Sequence, residues 1–185
     1  MSAGADKKDS PLWLDRAVFL AHSVALEQEA ADRMHELAET MAVHNNPALH
    51  ELLSSLAAHS DSHALDMKAL CRNETLPRFK AWEYSWPDDE SPEIFHYSSV
   101  HYLMSAEDAL QSALEVEQSA ETFYRDIADN ATNPAIKQLA EQFATEEQEH
   151  ARSIANRLSA LKAGFQNDLS KDPDQTDFDP PHTPE

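Results

Sequence analysis

Five side chains combine the types and spacings that bind divalent metal ions. Glu147 and His150 stand three residues apart in Glu147-Gln148-Glu149-His150, and residues three apart share one face of an α-helix. That face is apolar, with Phe143 before the pair and Ile154 after it. A carboxylate on a core-facing stripe is costly unless it is paired or holds a cation. Glu27, between Leu26 and Ala30, and Glu117, between Leu114 and Ala120, have the same setting on two other helical segments, and His63 lies between Leu56 and Met67 on a fourth. Mixed carboxylate and imidazole ligation favours iron or manganese, with zinc as a frequent substitute. The pattern predicts a metal site made of Glu27, His63, Glu117, Glu147 and His150.

Four long segments have to bring these residues together. The first opens at Ser10-Pro11, a cap residue followed by proline at the first helical position, and runs to about Val43 with Phe19, Leu26, Ala30, Met34, Leu37 and Met41 on one stripe. The second opens at Asn46-Pro47 and runs to about Cys71 with Leu49, Leu53, Leu56, Met67 and Leu70. The third opens at Ser105, with Asp108 placed for a capping box, and runs to about Asp129. The fourth opens at Asn133-Pro134 and is expected to end near Ala163, with Gly164 as its C-terminal cap.

The chain also repeats. Asn46-Pro47-Ala48-Leu49 matches Asn133-Pro134-Ala135-Ile136 at an offset of 87 (133 − 46), and His63 matches His150 in the same frame. Glu27-Gln28 and Ala30 match Glu117-Gln118 and Ala120 at an offset of 90 (117 − 27). Two helical hairpins joined by a long crossover make an all-α four-helix bundle. The crossover, about 72–104, is rich in aromatic residues (Phe79, Trp82, Tyr84, Trp86, Phe95, Tyr97, Tyr102), and such a segment is expected to be ordered against the bundle, with a short helix in it.

The chain thus resembles the rubrerythrin-type branch of the ferritin-like superfamily. The likeness rests on Glu27, on Glu117 followed by Ala120 and Phe123-Tyr124, and on Glu147-x-x-His150, and it covers about 11–71 and 105–163. It implies a ferritin-like bundle around two iron ions, with manganese or zinc as alternatives. Glu147 would bridge the metals, Glu27 and Glu117 would be terminal carboxylates, and His63 and His150 would each cap one metal. It also implies redox activity toward O2 or peroxide, or Fe(II) oxidation. The competing readings are a helical scaffold with a degenerate site, and iron storage.

Three departures from the family pattern stand out. Ser60 occupies the sixth ligand position, a Glu in the family. Ala120 stands where rubrerythrins carry an extra Glu. With one cysteine, Cys71, there is no rubredoxin-like cluster, so an external electron donor is expected. Glu121, Asp61 and His59 are the three residues that could make up for Ser60. Tyr124 lies two turns past Glu117 and suits either core packing or a hydrogen bond to a ligand carboxylate.

Composition narrows the remaining choices. With 34 Asp+Glu against 14 Lys+Arg, a net charge of −20, nucleic acid is not an expected partner. No stretch is apolar enough for a membrane span, and the first residues lack a signal-peptide core. A cytoplasmic homodimer or larger homo-oligomer is expected, with metal ions and O2 or peroxide as its small partners. The ends, 1–9 and the acidic, Pro-rich 165–185, are expected to be disordered. His22, His35, His44, His50 and His182 are expected on the surface.

Overall fold

The computed structural model describes residues 14–71, 75–86, 91–93 and 104–169. They form four long α-helices and a 3-10 turn in the crossover: α1 (Arg16–Val43), α2 (Pro47–Leu70), the turn at Ala81–Glu83, α3 (Ala106–Asn130) and α4 (Pro134–Leu169). There is no strand among the described residues. α1 packs along α2 and α3 along α4, and the two hairpins meet as a four-helix bundle.

Local chemistry sets most of the helix ends. Asn46 accepts the Leu49 amide (3.2 Å) ahead of Pro47, and Asn133 accepts the Ala135 amide (3.0 Å) ahead of Pro134. Ser105 and Asp108 form the reciprocal capping box. Asn45, at φ 56°, closes the first hairpin in the left-handed region that asparagine tolerates.

α1 is capped by Asp15, whose carboxylate accepts the amides of Ala17 and Val18, and the expected start at Ser10-Pro11 lies outside the described residues. One end differs from expectation. α4 continues through Gly164 to Leu169. One helical glycine costs only about 1 kcal/mol, and no proline follows before Pro173, so nothing forces a stop at Ala163. The expected disordered tail is therefore helical over 165–169, and the rest of both chain ends lies outside the described residues.

The stripes read from the sequence are the core, with Leu70 left exposed at the end of α2. That core falls into two apolar clusters. One gathers Met34, Leu37, Met41, Leu49, Leu53, Leu110, Ile154 and Leu158. The other gathers Phe19, Leu20, Leu26, Met67, Phe123, Tyr124, Ile127, Ile136 and Phe143. Glu27, His63, Glu117 and Glu147 all fall in sequence between residues of one cluster and residues of the other. The repeat therefore sets a polar layer at one level of the bundle.

The described stretch 75–86 of the crossover packs against the bundle, anchored by a histidine expected on the surface, while Phe95, Tyr97 and Tyr102 lie outside the described residues. His22 is buried at 2 % exposure. Its Nδ1 donates to the Val18 carbonyl (2.8 Å), and its Nε2 accepts the Ser85 amide of the crossover (3.1 Å). Phe79, Tyr84 and Trp86 surround the ring edge-on at centroid distances of 5.1, 4.9 and 5.2 Å. Sequence could have shown this, because His22 lies three residues after Phe19 and four before Leu26, on the apolar stripe itself. His35 is on the surface as expected, bonded to Asp61 (2.9 Å), and His44 is exposed. His50 is half-buried, with its ring on the Ala38 carbonyl (2.9 Å).

Burial holds the His22 imidazole below its ordinary value of 6.5, and the bond to Val18 offsets this only in part. Between the lowered value and 6.5 the unfolded chain takes up a proton that the folded chain refuses, so His22 contributes less stability as the pH falls through that window. His22→Leu is expected to cost about 1–3 kcal/mol at pH 7.5. The gap to the wild type should narrow at pH 5.5, as measured by urea unfolding. A gap that widens on acidification would contradict the assignment.

Candidate metal centre

α1 and α2 bring Glu27 and His63 together, and α3 and α4 do the same for Glu117, Glu147 and His150. His63 Nδ1 donates to Glu27 Oε1 at 3.2 Å. His150 Nδ1 lies 3.2 Å from Glu147 Oε2 and 3.5 Å from Glu117 Oε2. The His63 and His150 rings are 4.4 Å apart, so the two hairpins' clusters are one cluster. Glu27 and Glu147 are in the interior, at 2 % and 1 % exposure. Glu117, His63 and His150 are less deeply buried, with side chains 14 %, 18 % and 19 % exposed. The structure therefore brings all five predicted residues together in one layer.

A further carboxylate joins them that the sequence did not single out. Glu93, in the crossover turn Ser91-Pro92-Glu93, is buried at 3 % exposure. Two ligand groups can be drawn within the layer, each with its donor atoms within 4.8 Å of one another: His63, Glu147 and His150, and Glu27, Glu93 and Glu147. Glu147 belongs to both. The Glu93 and Glu147 Oε1 atoms are buried with no hydrogen-bond partner among the described residues, a rare condition for a carboxylate oxygen in a protein interior. Glu93 was hard to find because it follows Asp88, Asp89 and Glu90 in an aperiodic segment with no counterpart in the repeat.

Two of the three residues weighed as replacements for Ser60 are engaged elsewhere. Asp61 is held by His35 (2.9 Å). Glu121 is held by Arg125 (3.2 Å) and Gln148 (3.1 Å). His59 stands at the solvent-exposed rim, its ring 5.2 Å from that of His150, and is in neither ligand group. Tyr124 is wholly buried, packed against Phe19, Phe123 and Phe143. Its hydroxyl has no hydrogen-bond partner of good geometry; nearby Ser23 bonds to the Phe19 carbonyl (3.2 Å) and gives the phenol only a weak contact. His101, which follows the crossover aromatics and precedes Tyr102, lies with it outside the described residues.

Protonation in the layer follows from burial. Burial pushes the Glu147 carboxyl up to about 8 against the opposing bond from His150. It raises Glu27 against the bond from His63, and it raises Glu93 well above the carboxylate range, reinforced by Glu27, Glu147 and Glu117. Burial disfavours the His150 cation, but Glu117 and Glu147 outweigh it and lift the imidazole to about 10. His63 is raised by its bond to Glu27, against burial. Burial and the neighbouring carboxylates also raise the Tyr124 phenol. Without a cation, the cluster holds protons instead.

Residues 108–181 match the family model described as Rubrerythrin. The chain is similar to an uncharacterised conserved protein from Magnetospirillum magnetotacticum MS-1, known from a crystal structure. The two are 35 % identical with a TM-score of 0.61, and the match covers 78 % of this chain and 94 % of that one. Comparison with curated proteins gave no match.

The cluster fixes the sign of a stability change. Folded Glu147 keeps its proton up to about 8, while the unfolded chain releases it near 4.5, so metal-free stability falls as pH rises through that window. The His150 contribution is complete below 6.5 and is lost as pH rises through about 10. Chelator-treated protein should therefore lose stability in denaturant between pH 6.5 and 8, and Glu147→Gln should flatten that loss. A wild-type stability that stays level or rises over this range would contradict the assignment.

Proposed function

We infer that this chain, which belongs to the rubrerythrin family of ferritin-like proteins, binds a pair of metal ions through Glu27, His63, Glu117, Glu147 and His150. The observation that carries the reading is Glu147. It is buried, has an oxygen with no partner, and belongs to both ligand groups. Glu147 would be shared between the two ions, with His63 and His150 beside it in one group, Glu27 beside it in the other, and Glu117 next to His150.

The residues fit such a pair. Ferritin-like dimetal bundles combine carboxylates and histidines projecting inward from four helices, and hard oxygen donors with imidazole suit iron or manganese. Bound there, two iron ions supply two-electron chemistry with O2 or peroxide, or the oxidation of added Fe(II).

The protein's own part is positioning, proton handling and exclusion of water. Phe143 and Tyr124 close the layer on one side and Ile154 on the other. The protons held by the Glu27–His63 and Glu147–His150 pairs lie where a cation would bind, so metal uptake releases them and strengthens as the pH rises. Cys71 is buried and bonded to the Met67 carbonyl (3.0 Å), so electrons would arrive from a separate donor.

No helix among the described residues is long and apolar enough to cross a membrane.

Anaerobic loading with Fe(II) should give about two irons per chain, and admission of air should produce a near-ultraviolet ligand-to-metal absorption. Glu147→Ala should leave well under one iron per chain and no such absorption. Unchanged stoichiometry in that variant would overturn the ligand assignment.

A further inference from the structure

We propose that Glu93, carried by the crossover, is the fourth carboxylate ligand of the metal centre and takes over the role that Ser60 cannot fill on α2. The proposal rests on the metal-binding reading above and adds to it a ligand from outside the four helices.

The internal repeat defines what is missing. At the offset of 87 that relates α2 to α4, Glu147 corresponds to Ser60 (147 − 87). Ser60 is buried, so it does occupy an inward position, but its hydroxyl is short and neutral. Three helical carboxylates remain, Glu27, Glu117 and Glu147. Symmetric dimetal bundles use four, whose charge matches that of two divalent ions.

Glu93 restores that number from an unexpected direction. Its ligand oxygen lies within 4.8 Å of those of Glu27 and Glu147, and its Oε1 is buried without a partner. The charged groups acting on it are Glu27, Glu147 and Glu117. A carboxylate placed for stability would sit beside a cation or a set of amides. One surrounded by other carboxylates becomes favourable when a multivalent cation joins them, because the cation reverses the sign of every one of those interactions.

The crossover is built to deliver this side chain. His22 takes the Ser85 amide, and Tyr84 and Trp86 stack at 5.3 Å beside it. Trp86 then packs on Phe123 of α3 at 5.8 Å. Glu93 follows in a turn containing Pro92, a residue that restricts the backbone. The centre would thus have helical ligands on most sides and a loop ligand on one.

The test is a Mn(II) titration of chelator-stripped wild type, Glu93→Gln and the double variant Glu93→Gln/Ser60→Glu, following bound metal by equilibrium dialysis. Wild type should bind two Mn(II) per chain. Glu93→Gln should lose one, or bind it more weakly by on the order of tenfold or more, and Ser60→Glu in that background should restore it. Metal-free Glu93→Gln should melt a few degrees above metal-free wild type at pH 8, which shows that the variant folds and that the lost carboxylate was a burden without metal. Glu93→Gln that binds Mn(II) as wild type does would overturn the proposal and leave the five-residue reading intact. Wild type that binds no Mn(II) or Fe(II) would overturn that reading itself.

Discussion

A carboxylate taken from water into a protein interior loses its hydration, and an uncompensated buried charge costs several kcal/mol. This chain places three such groups, Glu27, Glu93 and Glu147, within a few ångströms of one another at 3 % exposure or less. Imidazoles from α2 and α4 and retained protons make the cluster tolerable, but two carboxylate oxygens still have no partner. Without a cation the layer costs stability, and a multivalent cation bound there would reverse the sign of the interactions among its carboxylates. The rest of the fold is an arrangement for holding that layer together.

The two apolar clusters supply the means. Fully burying one large aliphatic or aromatic side chain contributes about 1.5–3 kcal/mol, and each cluster contains many. By flanking the layer on both sides, they clamp it. The duplicated hairpin keeps the layer level. Glu27 and Glu117 take equivalent places in their hairpins, as do His63 and His150, because the same helix–turn–helix unit is used twice. The crossover breaks this symmetry by bringing Glu93 to the layer, and the repeat itself is broken at Ser60.

The sequence was most informative where periodicity and duplication act. Proline after a cap asparagine marked the starts of α2 and α4, the stripes marked the core, and the five residues of the layer followed from carboxylates and histidines lying on those stripes. It was least informative where neither acts. Glu93 belongs to an acidic, proline-containing stretch whose neighbours Asp88, Asp89 and Glu90 look the same in composition, so only three-dimensional closure of the crossover distinguishes it. His22 is a different case. It lay on the α1 stripe and could have been recognised, but an isolated histidine on a long helix suggests a surface residue until the aromatic side chains of the crossover are seen around it. The end of α4 was misplaced because Gly164 suggested a cap, whereas a helix tolerates one glycine when nothing after it forces a stop.

The most direct test of the account is anomalous scattering from crystals of the protein loaded with Fe(II) or Mn(II), recorded on either side of the metal absorption edge. The account predicts two peaks inside the bundle beside Glu147, one within reach of His63 and His150 and one within reach of Glu27 and Glu93. Peaks confined to the acidic surface, with none in the layer after full loading, would contradict it.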